Sequence, residues 1–223
     1  MTAPAVAVSD NGDMPNPPST RSVKIDHDER GGWSSDGPRR DGAPPRPASL
    51  SVRGRALRPS EQLRYAPGSL LVIVSGSAEA RDRFAARVID ERGALLSLAK
   101  VRTLLAGRAG ADEAAAAALL DKAVGKRIAA GETVVVAAEG VGAQEREHFV
   151  RMAAEQRRPC HLILVEAPRD QVSDEDRPVL DKLRRALDAG ELGAEGFTTF
   201  LRLGGSSIDE LKRVVFRRPS DDD

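Results

Sequence analysis

Five consecutive apolar residues, Leu70-Leu-Val-Ile-Val74, stand between polar stretches. A run of that length predicts a strand buried on both faces. A small-residue turn follows, Ser75-Gly76-Ser77-Ala78. Helix formers then run from Glu79 to about Glu91, with apolar positions at Phe84, Val88 and Ile89. The same alternation continues along the chain. Leu95-Leu96-Ser97-Leu98 predicts a second strand, and Val101, Leu104 and Leu105 mark a short helix ending near Gly107. After a loop from Gly107 to Gly110, Asp112 caps a long helix through Ala129, with an apolar face of Leu119, Leu120, Val124 and Ile128. Thr133 to Ala137 predicts a third strand. A helix from Ala143 to Gln156 carries Phe149, Val150 and Met152, and Pro159 breaks it.

His161 to Glu166 is the next predicted strand, followed by a loop from Pro168 to Ser173. Ser173, followed by Asp174, Glu175 and Asp176, starts a helix through Leu187, with its acids at the positive end of the dipole. Thr198 to Leu203 predicts the last strand, and Ser206 or Ser207 starts a final short helix through Val215. Leu63 to Pro67 reads as a lead-in to the first strand, and Pro67-Gly68 as a turn. Buried aliphatic strands alternating with helices imply an α/β fold: a mostly parallel sheet covered on both faces, three layers in all.

The composition shifts near residue 60. Pro, Gly, Ser, Asp and Arg dominate before it, as in Pro15-Asn-Pro-Pro18 and Gly42-Ala-Pro-Pro-Arg-Pro47. Such a segment buries too little apolar surface to offset the entropy of ordering it, so residues 1–60 are expected to form a disordered tail. Trp33 lies in it as an isolated aromatic, and Arg39, Arg40, Arg46, Arg53, Arg55 and Arg58 make its second half mildly basic, with Asp36 and Asp41 interspersed. Residues 61–216 form the expected domain, and 217–223 an acidic tail ending in three aspartates.

Charge narrows the partner classes. Lys plus Arg and Asp plus Glu both number 34, so nothing draws the chain globally toward nucleic acid or an anionic membrane. Aromatic residues make up 3% of the 223, too few for a stacking surface that would hold single-stranded nucleic acid. Cys160 is the single cysteine, so no intramolecular disulfide forms. No stretch approaches the roughly 20 apolar residues of a membrane span. A cytoplasmic location and a protein partner are expected; nucleic acid and membrane are not.

Strand, small turn and helix together make the frame of a P-loop. A working P-loop reads G-x-x-x-x-G-K-[ST]: glycines let backbone N–H groups wrap phosphate, the lysine reaches the β/γ-phosphates, and the hydroxyl holds Mg²⁺. Placing Phe84 against the aromatic that often follows the motif puts Ser75 at the first glycine, Ala80 at the second, Arg81 at the lysine and Asp82 at the Ser/Thr. Every signature position is changed. Arg81 either holds an anion in the lysine's place or is a surface residue on the first helical turn paired with Asp82 or Glu79. Gly76 and Ser77 could still offer N–H groups to an anion, against the charge of Glu79. Glu139 follows a strand's carboxyl end, where parallel sheets place ligand sites. His148 and His161 have no partner at metal-ligand spacing, and Cys160 reads as a small core residue. The alanine run Ala114 to Ala118 reads as a packed or partly exposed helix.

The order of these pieces resembles the small P-loop kinase-like ATPases of the polynucleotide-kinase type, over roughly residues 60 to 204. The strings that carry it are Leu63-Arg-Tyr-Ala-Pro-Gly-Ser-Leu-Leu-Val-Ile-Val, Val101-Arg102-Thr-Leu-Leu-Ala-Gly107, Ala129-Ala-Gly-Glu-Thr-Val-Val-Val136 and Glu195-Gly196-Phe197. The resemblance implies an acid three residues before Arg102, where Ala99 stands. It implies Asp-Ala-Thr-Asn after the third strand, where Ala137, Ala138, Glu139 and Gly140 stand. It implies two lid arginines, for which Arg169 and Arg177 are loose matches. Phosphoryl transfer works by positioning and charge neutralisation, and these losses remove most of both. The expected function is therefore a catalytically inactive relative with a regulatory or protein-interaction role and no cofactor, with weak ATP or GTP binding left open. The alternatives are an ATP-dependent kinase or phosphohydrolase using Arg81, which needs an acid near Ala99 or Ala137 in space, and a nucleotide or anion sensor, which needs an open turn at Gly76.

Overall fold

The computed structural model describes residues 54–107 and 112–217. Trp33, the arginines through Arg53 and residues 218–223 lie outside the described residues. The main sheet has six strands: β1 (Arg55–Ala56), β3 (Leu70–Val74), β4 (Leu95–Ser97), β5 (Val134–Ala137), β6 (Cys160–Val165) and β7 (Thr199–Leu203). Their order is β1-β7-β6-β3-β5-β4, and every pairing is parallel.

The sheet is parallel because each strand is apolar on both sides and each return path is a helix. All five residues of β3 are fully buried. Alternation divides them between two cores. Leu70, Val72 and Val74 join the residues Leu120, Val124 and Ile128 of α3 (Glu113–Ala129), Phe149 of α4 (Ala143–Glu155) and Leu180 and Leu183 of α5 (Asp176–Asp188). Leu71 and Ile73 join Phe84, Ala85 and Val88 of α1 (Ala78–Val88) on the opposite face. Helices thus cover both faces. Short α2 (Leu98–Leu105) follows β4 directly, and α6 (Leu192–Glu195) precedes β7.

The helices start where short polar side chains can accept a first-turn N–H. Ser77 accepts from Ala80, Ser97 from Lys100 and Asp112 from Ala115. The buried stripe of α3 is Ala116, Leu120, Val124 and Ile128, four positions spaced by four, while Leu119 is 40% exposed. Leu119 was expected on the core face; one residue's rotation turns it about 100° away from that stripe.

Three corrections concern the ends of the domain. First, β1 lies inside the span read as tail. Arg55 N–H donates to the Thr198 carbonyl at 3.1 Å and Leu57 N–H to the Phe200 carbonyl at 2.8 Å. Its side chains face solvent, so no apolar pattern marks it. Gly54 permits the approach: a Cβ there would sit 2.6 Å from Gly193 Cα. Second, the lead-in is a strand, β2 (Gln62–Tyr65). Third, the final helix ends early. Helix α7 (Ser206–Glu210) gives way to β8 (Arg213–Phe216), which pairs with β2 as a separate two-stranded parallel sheet. Val214, Val215 and Phe216 are β-branched or aromatic and favour that state. Leu63, Tyr65 and Val214 bury their side chains in the α1-side core. Among the described residues no helix is long and apolar enough to cross a membrane.

Candidate functional site

Strands β3 and β6 are neighbours, and the chain leaves β3 toward β4 and β6 toward β7, so their connections diverge to opposite ends of the sheet. A crevice opens beyond the carboxyl ends of the strands at such a point, and parallel α/β sheets place ligands there. Three loops border it: Ser75 to Ser77 after β3, Ala138 to Gly142 after β5, and Glu166 to Glu175 after β6.

The first loop is closed on itself. Ser75 is buried, and its Oγ accepts the Ser77 N–H at 3.2 Å. Ser77 Oγ accepts the Ala80 N–H at 3.3 Å and donates to Gln171 Oε1 at 3.5 Å. Serine hydroxyls therefore take the N–H groups of Ser77 and Ala80. Gly76 is packed from the lid side. A Cβ there would meet Val172 Cγ2 at 2.9 Å, Val172 Cγ1 at 3.0 Å and Leu180 Cδ2 at 3.2 Å. Val172 and Leu180 are both buried. Gly76 itself is half-buried. On the exposed side of the first helical turn, Glu79 pairs with Arg83.

Arg81 is buried, at 2% exposure. Its Nη1 donates to the Ala138 carbonyl at 2.5 Å and its Nε to Asp82 Oδ1 at 2.8 Å. It is thus neither a surface residue nor a cation aimed at an open phosphate site; of the two pairings weighed from sequence, Asp82 is its partner and Glu79 is not. Ala80 is half-buried beside it. Asp82 keeps its side chain 44% exposed.

The second loop is filled in the same manner. Glu145, in the first turn of α4, accepts the N–H of Glu139 at 2.9 Å and of Gly140 at 2.8 Å. Glu139 receives two hydrogen bonds from Arg102, at 2.5 and 2.9 Å, and Arg102 also pairs with Glu113. Hydrogen bonding to Glu113 first, then to Glu139, raises the Arg102 pKa further, and Arg102 in turn holds the Glu113 carboxyl below its ordinary value. The three form a solvent-exposed network, not an acid poised for proton transfer.

The third loop and the helix after it, α5, carry arginines. Arg169, Arg177 and Arg184 line a cavity of about 360 Å³ together with Val172, Leu180 and Asp181. Arg177 pairs with Asp174 and donates to the Arg169 carbonyl at 3.2 Å, while its Nε is buried without a partner. Arg184 pairs with Asp181 and Glu166, and Arg202 donates to Glu166 at 2.7 Å. Burial raises the Glu166 pKa, but the hydrogen bonds from Arg184 and Arg202 outweigh it and hold the carboxyl below its ordinary value. The matches Arg169 and Arg177 do share a cavity, separated from the Ser75–Ser77 turn by Val172 and Leu180.

Asp82, Ala99 and Ala137 line one further cavity, of about 470 Å³, between α1, β4 and α2. An acid therefore does stand near the vacated positions. The sequence offered no sign of this cavity, because its lining comes from four separate elements.

The remaining candidates are structural. Burial pushes the Cys160 thiol far up, away from reactive thiolate. His161 Nδ1 lies 2.8 Å from Thr199 Oγ1, and its ring stacks on Tyr65 at 4.3 Å. His148 Nε2 lies 2.9 Å from Asp121. Among the described residues, no three His, Cys, Asp or Glu side chains are grouped to hold a metal ion. No protein-family model matches the chain, and no curated protein matches it.

Proposed function

We propose that this chain carries a P-loop kinase-like domain whose phosphate site is filled by its own side chains, and that it works by binding, in a regulatory or protein-interaction role, without phosphoryl transfer. The packing of Val172 and Leu180 against Gly76 carries the reading. A phosphate cradle needs N–H groups pointing into open space. Here Val172 and Leu180 stand against the Cα of Gly76, and the Ser75 and Ser77 hydroxyls take the N–H groups of Ser77 and Ala80. Arg81, at the lysine position, gives two of its five donors to Asp82 and the Ala138 carbonyl. Arg177 and Arg184 share a cavity with Val172 and Leu180 and pair with Asp174, Asp181 and Glu166.

One observation favours the enzymatic alternative. Asp82 lines the same cavity as Ala99 and Ala137, where a kinase of this type would hold its base. Asp82 is already hydrogen-bonded to Arg81, and a base without a phosphate-holding loop cannot carry the transfer.

Thermal melting with nucleotide tests the reading. A site of about 10 μM affinity would add about 2.7 kcal/mol at 1 mM ligand. That would raise the melting temperature by about 5–11 °C in a domain of this size. Melts with 1 mM ATP or GTP, with and without Mg²⁺, are expected to coincide with the ligand-free melt. A shift of several degrees that requires Mg²⁺ would restore the enzymatic alternative.

A further inference from the structure

The face of the main sheet that α1 covers is left open at one edge. Strand β4 is that edge, and it runs in register with β5, pairing Leu95 with Val135 and Ser97 with Ala137. Alternation puts all four side chains on one face. Val135 packs in the same core as Phe84, Ala85 and Val88, so this is the α1 face. Helix α1 lies over β3, β5 and β6. The space left between α1, β4 and the start of α2 is the cavity of about 470 Å³.

Its lining is uneven in a useful way. Ala85, Ala86, Ile89 and Leu95 form an apolar wall. Two cations, Arg92 and Lys100, line the same cavity, and among the described residues neither forms a salt bridge with an acid. Lys100 Nζ donates to the Leu95 carbonyl at 2.9 Å. Burial, and then the charge of Arg92, lower the Lys100 pKa, against a smaller opposing pull from Asp82. Two like charges held together without a carboxylate partner favour an anion between them. Asp82 is the one acid in the lining, and Arg81 already pairs with it, so Arg92 and Lys100 remain to meet an anion. The volume lies within the roughly 300–1,000 Å³ of small-molecule sites, and an apolar wall with a few placed polar groups is their usual lining.

We propose that this cavity binds a small organic anion: a carboxylate held by Arg92 and Lys100, with an apolar body against Ala85, Ala86, Ile89 and Leu95. The inference stands on the cavity itself and does not rest on the phosphate turn being closed. Nucleotide binding at the turn would leave it intact, and its own failure would leave the reading of the turn intact.

Calorimetric titration of the full chain tests it with octanoate, 1-octanol and octyl phosphate as probes. Octanoate is expected to bind, with 1-octanol about tenfold weaker because one charge-assisted contact is lost. The double variant Arg92→Gln/Lys100→Gln, changed at two exposed side chains, is expected to bind octanoate about tenfold more weakly and 1-octanol unchanged. Ala86→Leu, which fills the apolar wall, is expected to weaken both, with a melt showing that it folds. No octanoate binding at millimolar concentration, equal binding of octanoate and the alcohol, or an unaffected double variant would each overturn the proposal. Tighter binding of octyl phosphate than of octanoate would overturn the carboxylate.

Discussion

The guanidinium of Arg81 reaches from the first turn of α1 to the carbonyl of Ala138, 2.5 Å away, just past the end of β5. This bond joins the loops after β3 and β5, the two between which a nucleotide phosphate would lie in a P-loop protein. Arg81 stands where the resemblance places the phosphate-binding lysine, and the structure uses it as an internal strut.

Arg81→Ala is expected to destabilise the domain by about 2–4 kcal/mol, because it strands a buried carbonyl and opens a cavity. Arg81→Lys is expected to recover less than half of that loss, since a single ammonium cannot serve two acceptors in a planar fork. Urea unfolding of the three proteins measures this. An Arg81→Ala protein as stable as the parent would show that the strut contributes nothing.

Gly76 and Val172 are expected to be coupled. A Cβ at Gly76 would lie 2.9 Å from Val172 Cγ2, so Gly76→Ala should cost about 1–3 kcal/mol through overpacking. Val172→Ala should cost a similar amount by leaving a cavity. The double variant should be more stable than the sum of the two, by about 1 kcal/mol, because the new methyl takes the space the old ones vacated. A double-mutant cycle by chemical denaturation reads the coupling, and strict additivity would separate the two residues.

His161 makes stability depend on pH. Burial lowers its pKa from 6.5 to about 4 in the folded protein. The unfolded chain therefore binds the proton first as pH falls, and the contribution is complete above about pH 6.5 and lost on descending toward pH 4. A shift of this size is worth roughly 3 kcal/mol. His161→Phe, which keeps a ring against Tyr65, is expected to flatten the slope of unfolding free energy between pH 6.5 and 5. Glu166 adds to the acid loss only lower down, near and below the ordinary carboxylate range. An unchanged slope in the variant would assign the pH dependence elsewhere.

Much of the fold was legible because the pattern was strong. Leu70–Val74 is an unbroken apolar run, and both its strand and the helix after it formed within a few residues of expectation. The mostly parallel sheet followed from such runs alternating with helices, and in the described residues every pairing is parallel. The misreadings fall where burial is one-sided or the segment is short. Arg55–Ala56 exposes both side chains, so only backbone bonding marks it as a strand. Val214 and Phe216 fit a helix end as well as a strand over so few residues, and their pairing with Gln62–Tyr65 spans 151 positions. At the site, the altered P-loop positions could be read, but their fate could not. Whether Arg81 pointed outward or inward depended on Ala138, 57 residues away. The closure of Gly76 by Val172 and Leu180 depends on a loop whose sequence carries no motif.

Isothermal titration of the full chain with ATP in the presence of Mg²⁺ tests the closed phosphate turn most directly. No heat of binding is expected up to millimolar nucleotide, from the parent and from the Val172→Ala protein alike, because serine hydroxyls still take the N–H groups of the turn. Micromolar binding by the parent protein, weakened by Arg81→Ala, would contradict it and make Arg81 a phosphate ligand.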